Sequence, residues 1–318
     1  MNKVLYVHGF ASSGASGTVK WLRDHLQGTT VVAPDIPTEP LKAIELLRRV
    51  AADEQPDLVI GTSMGGMLAE QLHGFDRILV NPAFEIAETL RTNIGLGMHT
   101  FFNARQDGQK EFLVTKKTLE AFREVTSHCF EKTDEEEQER VYGLFGTDDD
   151  LVHTYPLFCR HYRHAIRFKG GHRLDDHVRT HALMPVVRWI DDRQQGRQRP
   201  ILYIALDGAL RKADGKPLGS SVNAFEQLAA IYDVRVVASC PWISPEKMQA
   251  DRLWVEDYLG VPAYDRLVFC NHAHLLYGDY YITPAPDPRF LGTSLTYGDD
   301  TFRTWEDVLT YFERLGGQ

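Results

Sequence analysis

The segment Gly61-Thr62-Ser63-Met64-Gly65-Gly66 follows directly on the apolar run Asp57-Leu58-Val59-Ile60, and it constrains this chain more than any other stretch. It reads as a strand, a sharp turn and a helix (Met64 to His73), with a serine at the turn. Glycines on both sides of that serine imply crowding, because the strand and helix backbones come too close for a Cβ. The turn would hold Ser63 in a strained backbone conformation and lift its hydroxyl above the sheet edge.

The surrounding pattern fits a strand-turn-helix unit in a larger sheet. Lys3 to Val7 reads as a strand, followed by the loop His8-Gly9-Phe10-Ala11-Ser12-Ser13-Gly14 and a helix over Thr18 to Leu26. Thr29 to Ala33 is a second strand and Leu41 to Ala52 a second helix. The serine unit comes next, then the strand Arg77 to Val80. Alternating strands and helices predict a parallel, doubly wound sheet with its site at the carboxyl ends of the strands. Residues 84–140 interrupt this alternation and read as a mostly helical insertion of the kind that forms a lid. It resumes with Val141 to Phe145, a helix near Pro156 to Arg163, Ala165 to Phe168, and a helix from Asp175 to Ile190. The polar stretch 193–199 is the expected linker between a first domain (1–192) and a second α/β domain (200–318). In the latter, strands are predicted at Ile201 to Leu206, Val234 to Ser239, Arg266 to Cys270 and Tyr280 to Ile282. Helices are predicted at Val222 to Tyr232, Pro245 to Leu259 and Thr304 to Leu315.

The serine unit resembles the nucleophile elbow of the α/β-hydrolases. A serine hydroxyl needs a base, and the base needs an orienting carboxylate; in that fold class they follow the serine as acid, then histidine. The acid candidates are Asp148, Asp149 and Asp150. The familiar arrangement puts the acid three residues after a glycine and three before a valine, and Asp149 stands so between Gly146 and Val152. The base candidate is His172 in Phe168-Lys169-Gly170-Gly171-His172. His153, His161, His164, His177 and His181 lie near it in sequence but complete no zinc motif such as H-E-x-x-H. An oxyanion hole needs two backbone N–H groups. Met64, next to the serine, and Phe10, in the loop after the first strand, are the candidates, with His8 as a brace for that loop.

Tyr6-Val7-His8-Gly9-Phe10-Ala11-Ser12-Ser13, Ala33-Pro34-Asp35-Ile36-Pro37, Ile60 to Gly66 and Val80-Asn81-Pro82-Ala83 together resemble the YqiA/YcfP-type bacterial esterases over residues 1–190. The resemblance implies a compact serine hydrolase of short acyl esters or acyl thioesters. Phe101, Phe102, Phe112 and Leu113 are candidates for an acyl pocket, or else a small core of the lid itself.

Tyr203-Ile204-Ala205-Leu206-Asp207-Gly208-Ala209-Leu210 resembles the first motif of the haloacid-dehalogenase-like phosphatases, D-x-D-G-T-x. The resemblance gives the first aspartate of that motif to nucleophilic attack and magnesium binding; here Ala205 stands in its place, and Asp207 matches the second. Val236-Val237-Ala238-Ser239 resembles the second motif. Trp254 to Gly260 and Tyr277 to Ile282 resemble deoxyribonucleotidase-type members. Where those carry a lysine, six residues before Asp279, this chain has Ala273 between His272 and His274. Where they carry an acidic pair it has Thr283-Pro284. The expectation is a degenerate phosphatase fold with Asp207 and Ser239 as a residual ligand site.

The bulk properties set outer bounds. The 318 residues carry a net charge of -9, which disfavours a nucleic-acid partner. No apolar run approaches a membrane span, and Cys129, Cys159, Cys240 and Cys270 lack C-x-x-C spacing. The expectation is a cytoplasmic serine hydrolase with a small acyl substrate, without metal or organic cofactor, and possible as a homo-oligomer. The competing readings are a magnesium-dependent phosphatase acting through the second domain and a non-catalytic scaffold.

Overall fold

The computed structural model describes residues 1–316, which divide into two compact units, Met1–Gln195 and Gly196 onward. Each unit has its own parallel sheet and its own hydrophobic core.

The first unit begins with β1 (Lys3–Val7), α1 (Gly17–His25), β2 (Thr30–Val32), α2 (Pro40–Glu54), β3 (Leu58–Thr62), α3 (Met64–Glu70) and β4 (Asp76–Val80). An inserted region follows, with α4 (Ile86–Thr89) running into one wide turn (Leu90–Ile94), β5 (Gly97–Thr100), β6 (Glu111–Val114), α5 (Lys116–Ser127) and α6 (Glu135–Arg140). The unit closes with β7 (Val141–Gly146), α7 (Tyr155–Phe158), β8 (His164–Phe168), α8 (Asp176–Val178), a wide turn (Arg179–Leu183) and α9 (Met184–Gln194). Six parallel strands lie in the order β2-β1-β3-β4-β7-β8. The order reverses direction between β1 and β3, and the loops leaving those two strands therefore flank a crevice at the carboxyl edge. This is the α/β-hydrolase architecture.

The sheet strands are largely apolar because both faces are covered; β4 is buried at all five positions, and its two charged residues, Asp76 and Arg77, are paired with Arg193 and Glu137. Leu5, Val59, Leu79, Met67, Leu68, Phe122 and Phe158 belong to one continuous core. Close approach sets the glycines of the serine turn. A Cβ on Gly65 would stand within clash distance of the Val7 carbonyl, and one on Gly61 would meet Ala69 Cβ at 2.8 Å.

The inserted region departs from its expected helical character. β5 and β6 pair antiparallel, Gly97 with Val114 through Thr100 with Glu111. Helix flanks this hairpin on both sides, α4 before it and α5 and α6 after it, and α5 starts on a reciprocal cap in which Thr115 and Thr118 satisfy each other's backbone N–H. The helix expected over Pro156 to Arg163 is the single turn α7, and α9 carries Arg193 and Gln194, so helix reaches into the expected linker.

The second unit consists of β9 (Ile201–Ala205), α10 (Ser221–Ala229), β10 (Asp233–Ala238), α11 (Pro245–Tyr258), β11 (Leu267–Phe269), β12 (Tyr280–Thr283), β13 (Thr293–Thr296) and α12 (Trp305–Arg314). Its parallel order is β11-β10-β9-β12-β13, reversing between β9 and β12. Leu202, Ile204, Phe225, Val236, Ile282 and Trp305 anchor its core. Strand β13 was not expected from the sequence.

Candidate active site

Ser63 occupies the single residue between β3 and α3, at φ 54° and ψ −120°. Such a backbone is costly for a residue with a Cβ and persists only where its surroundings over-determine it. Here they do. Ser63 N–H donates to the Val80 carbonyl at 2.9 Å, and the Ser63 carbonyl accepts from Ala83, Gly66 and Met67 N–H. The turn is pinned to the end of β4 on one side and to its own helix on the other.

His172 and Asp149 reach the serine from the loops after β8 and β7. Ser63 Oγ lies 3.0 Å from His172 Nε2, and His172 Nδ1 lies 2.9 Å from Asp149 Oδ2. With the ring proton on Nδ1, donated to the carboxylate, Nε2 is left to accept from the serine hydroxyl. The Asp149 side chain is almost fully buried, whereas Asp148 and Asp150 are exposed. Its second oxygen accepts from Leu151 and Val152 N–H at 2.8 and 3.0 Å. Burial pushes the Asp149 pKa up, but the hydrogen bond from His172 and those from the two backbone N–H groups outweigh it and hold the pKa below the usual aspartate value. The carboxylate is thus kept ionised and aimed at the imidazole. Of the other histidines near His172 in sequence, His177 and His181 pack ring against ring at 4.3 Å, and His161 stacks on Phe130. Among the described residues, no group of three His, Cys, Asp or Glu side chains is arranged to hold a metal ion.

Met64 is the first residue of α3, where a helix leaves backbone N–H groups without an intrahelical acceptor. Phe10 follows Gly9, whose Cα is so near the serine that an added Cβ would stand 3.3 Å from Ser63 Cβ. The loop carrying Phe10 is braced by His8, which is buried. Its Nδ1–H donates to the Gly9 carbonyl at 2.8 Å, and Nε2 accepts from Ile36 N–H at 2.9 Å. Burial, seconded by the nearby Arg105 charge, lowers the His8 pKa to about 4. The ring is therefore a neutral strut.

The hairpin end crosses this same loop. Phe102 N–H donates to the Ala11 carbonyl, Asn103 to Ser12 Oγ, Arg105 to the Ile36 carbonyl, and Gln106 N–H to Asp35, which also accepts from Gly14 N–H. Of the four acyl-pocket candidates, Phe112 is buried with its ring 5.1 Å from Phe10 and 4.7 Å from Phe101. Phe102 and Leu113 are exposed, at 74% and 53%. Phe101 and Phe112 thus form a small aromatic core with Phe10, and the other two face outward.

Asn81 is a residue whose part in the site the sequence reading missed. It lies buried at the end of β4 and bonds to both the acid and base loops. The available signals were a polar residue closing a buried strand and standing before Pro82.

In the second unit, Asp207 and Ser239 lie just beyond the ends of the neighbouring strands β9 and β10. Ser239 is exposed. Asp207 Oδ1 accepts from Arg211 at 2.6 Å and Oδ2 from Lys247 at 3.2 Å, and both cations also hold the buried Asp251. Burial raises the Asp207 pKa, but hydrogen bonds from Arg211 and Lys247 outweigh this and keep it low. The magnesium that the phosphatase resemblance implies does not fit these residues. Ala205 offers no donor, both oxygens of Asp207 are engaged by cations, and Pro284 packs against Gly208 where the acidic pair is expected.

With these geometries in view, comparison with known proteins places the first unit. Residues 3–187 match the model of an uncharacterised protein family, UPF0227. The chain belongs to the UPF0227 family. Residues 200–309 match a second family model, described as 5' nucleotidase, deoxy (pyrimidine), cytosolic type C protein. A Vibrio phage KVP40 protein, named as a candidate 5'(3')-deoxyribonucleotidase, is 38% identical over 99 residues, which are 30% of this chain and 58% of that protein. The chain therefore spans little more than half the length of this curated relative. Among solved structures, Est1E from Butyrivibrio proteoclasticus is similar at 17% identity and a TM-score of 0.40, covering 62% of this chain and 88% of its own. A thioesterase domain from a curacin biosynthetic pathway is similar at 19% identity and a TM-score of 0.35, covering 59% of this chain and 90% of its own.

Proposed function

We propose that this UPF0227 member is a serine hydrolase of small acyl esters or thioesters, with Ser63 as nucleophile, His172 as general base and Asp149 as its orienting carboxylate. The observation that carries this reading is the continuous pair of hydrogen bonds from Ser63 Oγ through His172 to Asp149. Three residues distant in sequence, on three loops at one sheet edge, have no structural need to meet in that order. In the reaction, Ser63 Oγ attacks the acyl carbon while its proton passes to His172 Nε2. The resulting imidazolium is stabilised by Asp149. The negative charge on the former carbonyl oxygen is received by the N–H groups of Phe10 and Met64. Collapse expels the alcohol or thiol, which takes the proton from His172 and leaves an acyl group on Ser63. Water, giving its proton to His172, then attacks that acyl carbon; the bond to Ser63 Oγ breaks, the carboxylic acid leaves, and His172 returns the proton to Oγ.

Labelling with a fluorophosphonate probe tests the proposal. Stoichiometric labelling of the native chain, lost in both Ser63→Ala and His172→Ala, is the expected result. A native chain that does not label overturns it. A second reading, a magnesium-dependent nucleotidase, draws on the match of residues 200–309. It requires hydrolysis of a nucleotide that survives Ser63→Ala and ceases when magnesium is withdrawn. The position of Ala205 and the cation-filled surroundings of Asp207 weigh against it.

A further inference from the structure

We infer that Asn81 is a positioning residue for the Ser63 site, a single buried amide that sets the acid loop and the base loop in register with the serine turn. This inference rests on the serine-hydrolase reading above. Asn81 follows the last residue of β4 and is 2% exposed, with φ at 44°. The left-handed backbone is one that asparagine tolerates better than most residues. It turns the side chain toward the carboxyl edge of the sheet while Asn81 N–H still donates to the Leu144 carbonyl at 2.8 Å.

The side chain is used at both ends. Its Oδ1 accepts from Gly146 N–H at 2.8 Å, at the start of the acid loop. Its Nδ2 donates to the carbonyls of Gly171 and His172 at 3.1 and 3.2 Å, in the base loop. Val80, just before Asn81, and Ala83, two residues after it, hold the serine turn through the Val80 carbonyl and Ala83 N–H. The acid and base loops also touch each other. Asp148 N–H donates to the Gly170 carbonyl, and a Cβ on Gly146 would stand 2.7 Å from the Gly171 oxygen. β4 is paired with β7 as far as Leu144, and Thr154 Oγ1 donates to the Pro82 carbonyl, so the acid loop is anchored at both of its ends; the Asn81 amide adds bonds that hold Gly146 and the base loop to the end of β4 together. An amide suits the task because it presents one acceptor and two donors from one planar group. Burial makes each of these bonds costly to leave unmade.

Two variants test this in the full-length chain. In Asn81→Gly the backbone is relieved at a left-handed position while every side-chain bond is lost. In Asn81→Asp the shape and the bond from Gly146 are kept, but a carboxylate is turned toward two carbonyl oxygens. Fluorophosphonate labelling rates, and kcat and KM on a p-nitrophenyl ester, are measured alongside far-UV dichroism and the thermal midpoint. The expected result is folded protein whose labelling rate and kcat fall about 10- to 100-fold with KM within about twofold of native, the pattern of a misplaced catalytic group. A folded variant of either kind with native labelling rate and native kcat overturns the inference and leaves the serine-hydrolase reading standing. A native chain that does not label at all removes that reading, and this inference with it.

Discussion

Asp149 and His8 show how burial assigns chemistry to two ionisable residues at opposite sides of Ser63. Asp149 is enclosed with its lone pairs directed at an imidazole and two amides, whereas Asp148 and Asp150 on either side are exposed. Asp149→Asn should therefore lower kcat by about 10^3- to 10^4-fold, because the amide no longer fixes the ring proton on Nδ1. Asp148→Asn and Asp150→Asn should stay within about threefold of native under the same assay. His8 gives a pH dependence. Its folded pKa, about 4, lies below the unfolded value of 6.5, so the unfolded chain takes up the proton first. Its contribution is complete above pH 6.5 and is lost as pH falls toward 4, a decline of about 3 kcal/mol. Protonation of His8 in the folded chain removes the acceptor for Ile36 N–H, so activity should fall only near pH 4, where the folded ring titrates. His8→Gln should flatten the stability profile between pH 6.5 and 4 in denaturant titrations. An unchanged slope would show that another group is responsible.

The β5–β6 hairpin is bonded at its far end to the loop that carries Phe10. Asp35 receives Gly14 N–H from that loop and Gln106 N–H from the hairpin on its two oxygens. Asp35→Ala should thus loosen both together, lowering kcat by about 10-fold while the thermal midpoint moves by only a few degrees. Steady-state kinetics with matched melting curves would show it. The hairpin is also where sequence reading ran out. Four-residue strands such as Gly97–Thr100 and Glu111–Val114 are too short to separate period two from period 3.6, and β5 has no buried position at all. β13, Thr-Ser-Leu-Thr, escaped for the same reason, with Leu295 its one buried residue. The serine turn was legible because Gly61, Gly65 and Gly66 each answer a separate close approach. Ser63, Asp149 and His172 were each legible as the polar residue of a loop leaving a sheet strand, β3, β7 and β8 in turn. Asn81 was not, since its partners are backbone atoms of Gly146, Gly171 and His172, which no side-chain pattern announces.

At the scale of the whole molecule, two separate cores in series predict two separable pieces. A fragment ending at Gln195 should fold and retain fluorophosphonate labelling within a few-fold of the full chain. Failure to label would show that the second unit completes the site. That unit carries its own cations: Arg211 and Lys247 sit between Asp207 and Asp251 and leave no uncompensated carboxylate pair. Millimolar magnesium should leave its melting transition unmoved, and a rise of several degrees would show a metal site after all. The glycines around Ser63 have a consequence for how such a protein can diversify. Where Gly65 meets Val7 and Gly66 meets Pro82, backbone touches backbone, and there is no slack for substitution to explore. Residues 97–114, by contrast, form a short hairpin with Met98, Phe102 and Leu113 open to solvent. Substitution along that ribbon meets few packing constraints, whereas a side chain added at the glycines meets backbone that cannot move aside. A randomised library confined to the exposed hairpin positions should yield many folded members, and one confined to the glycines almost none.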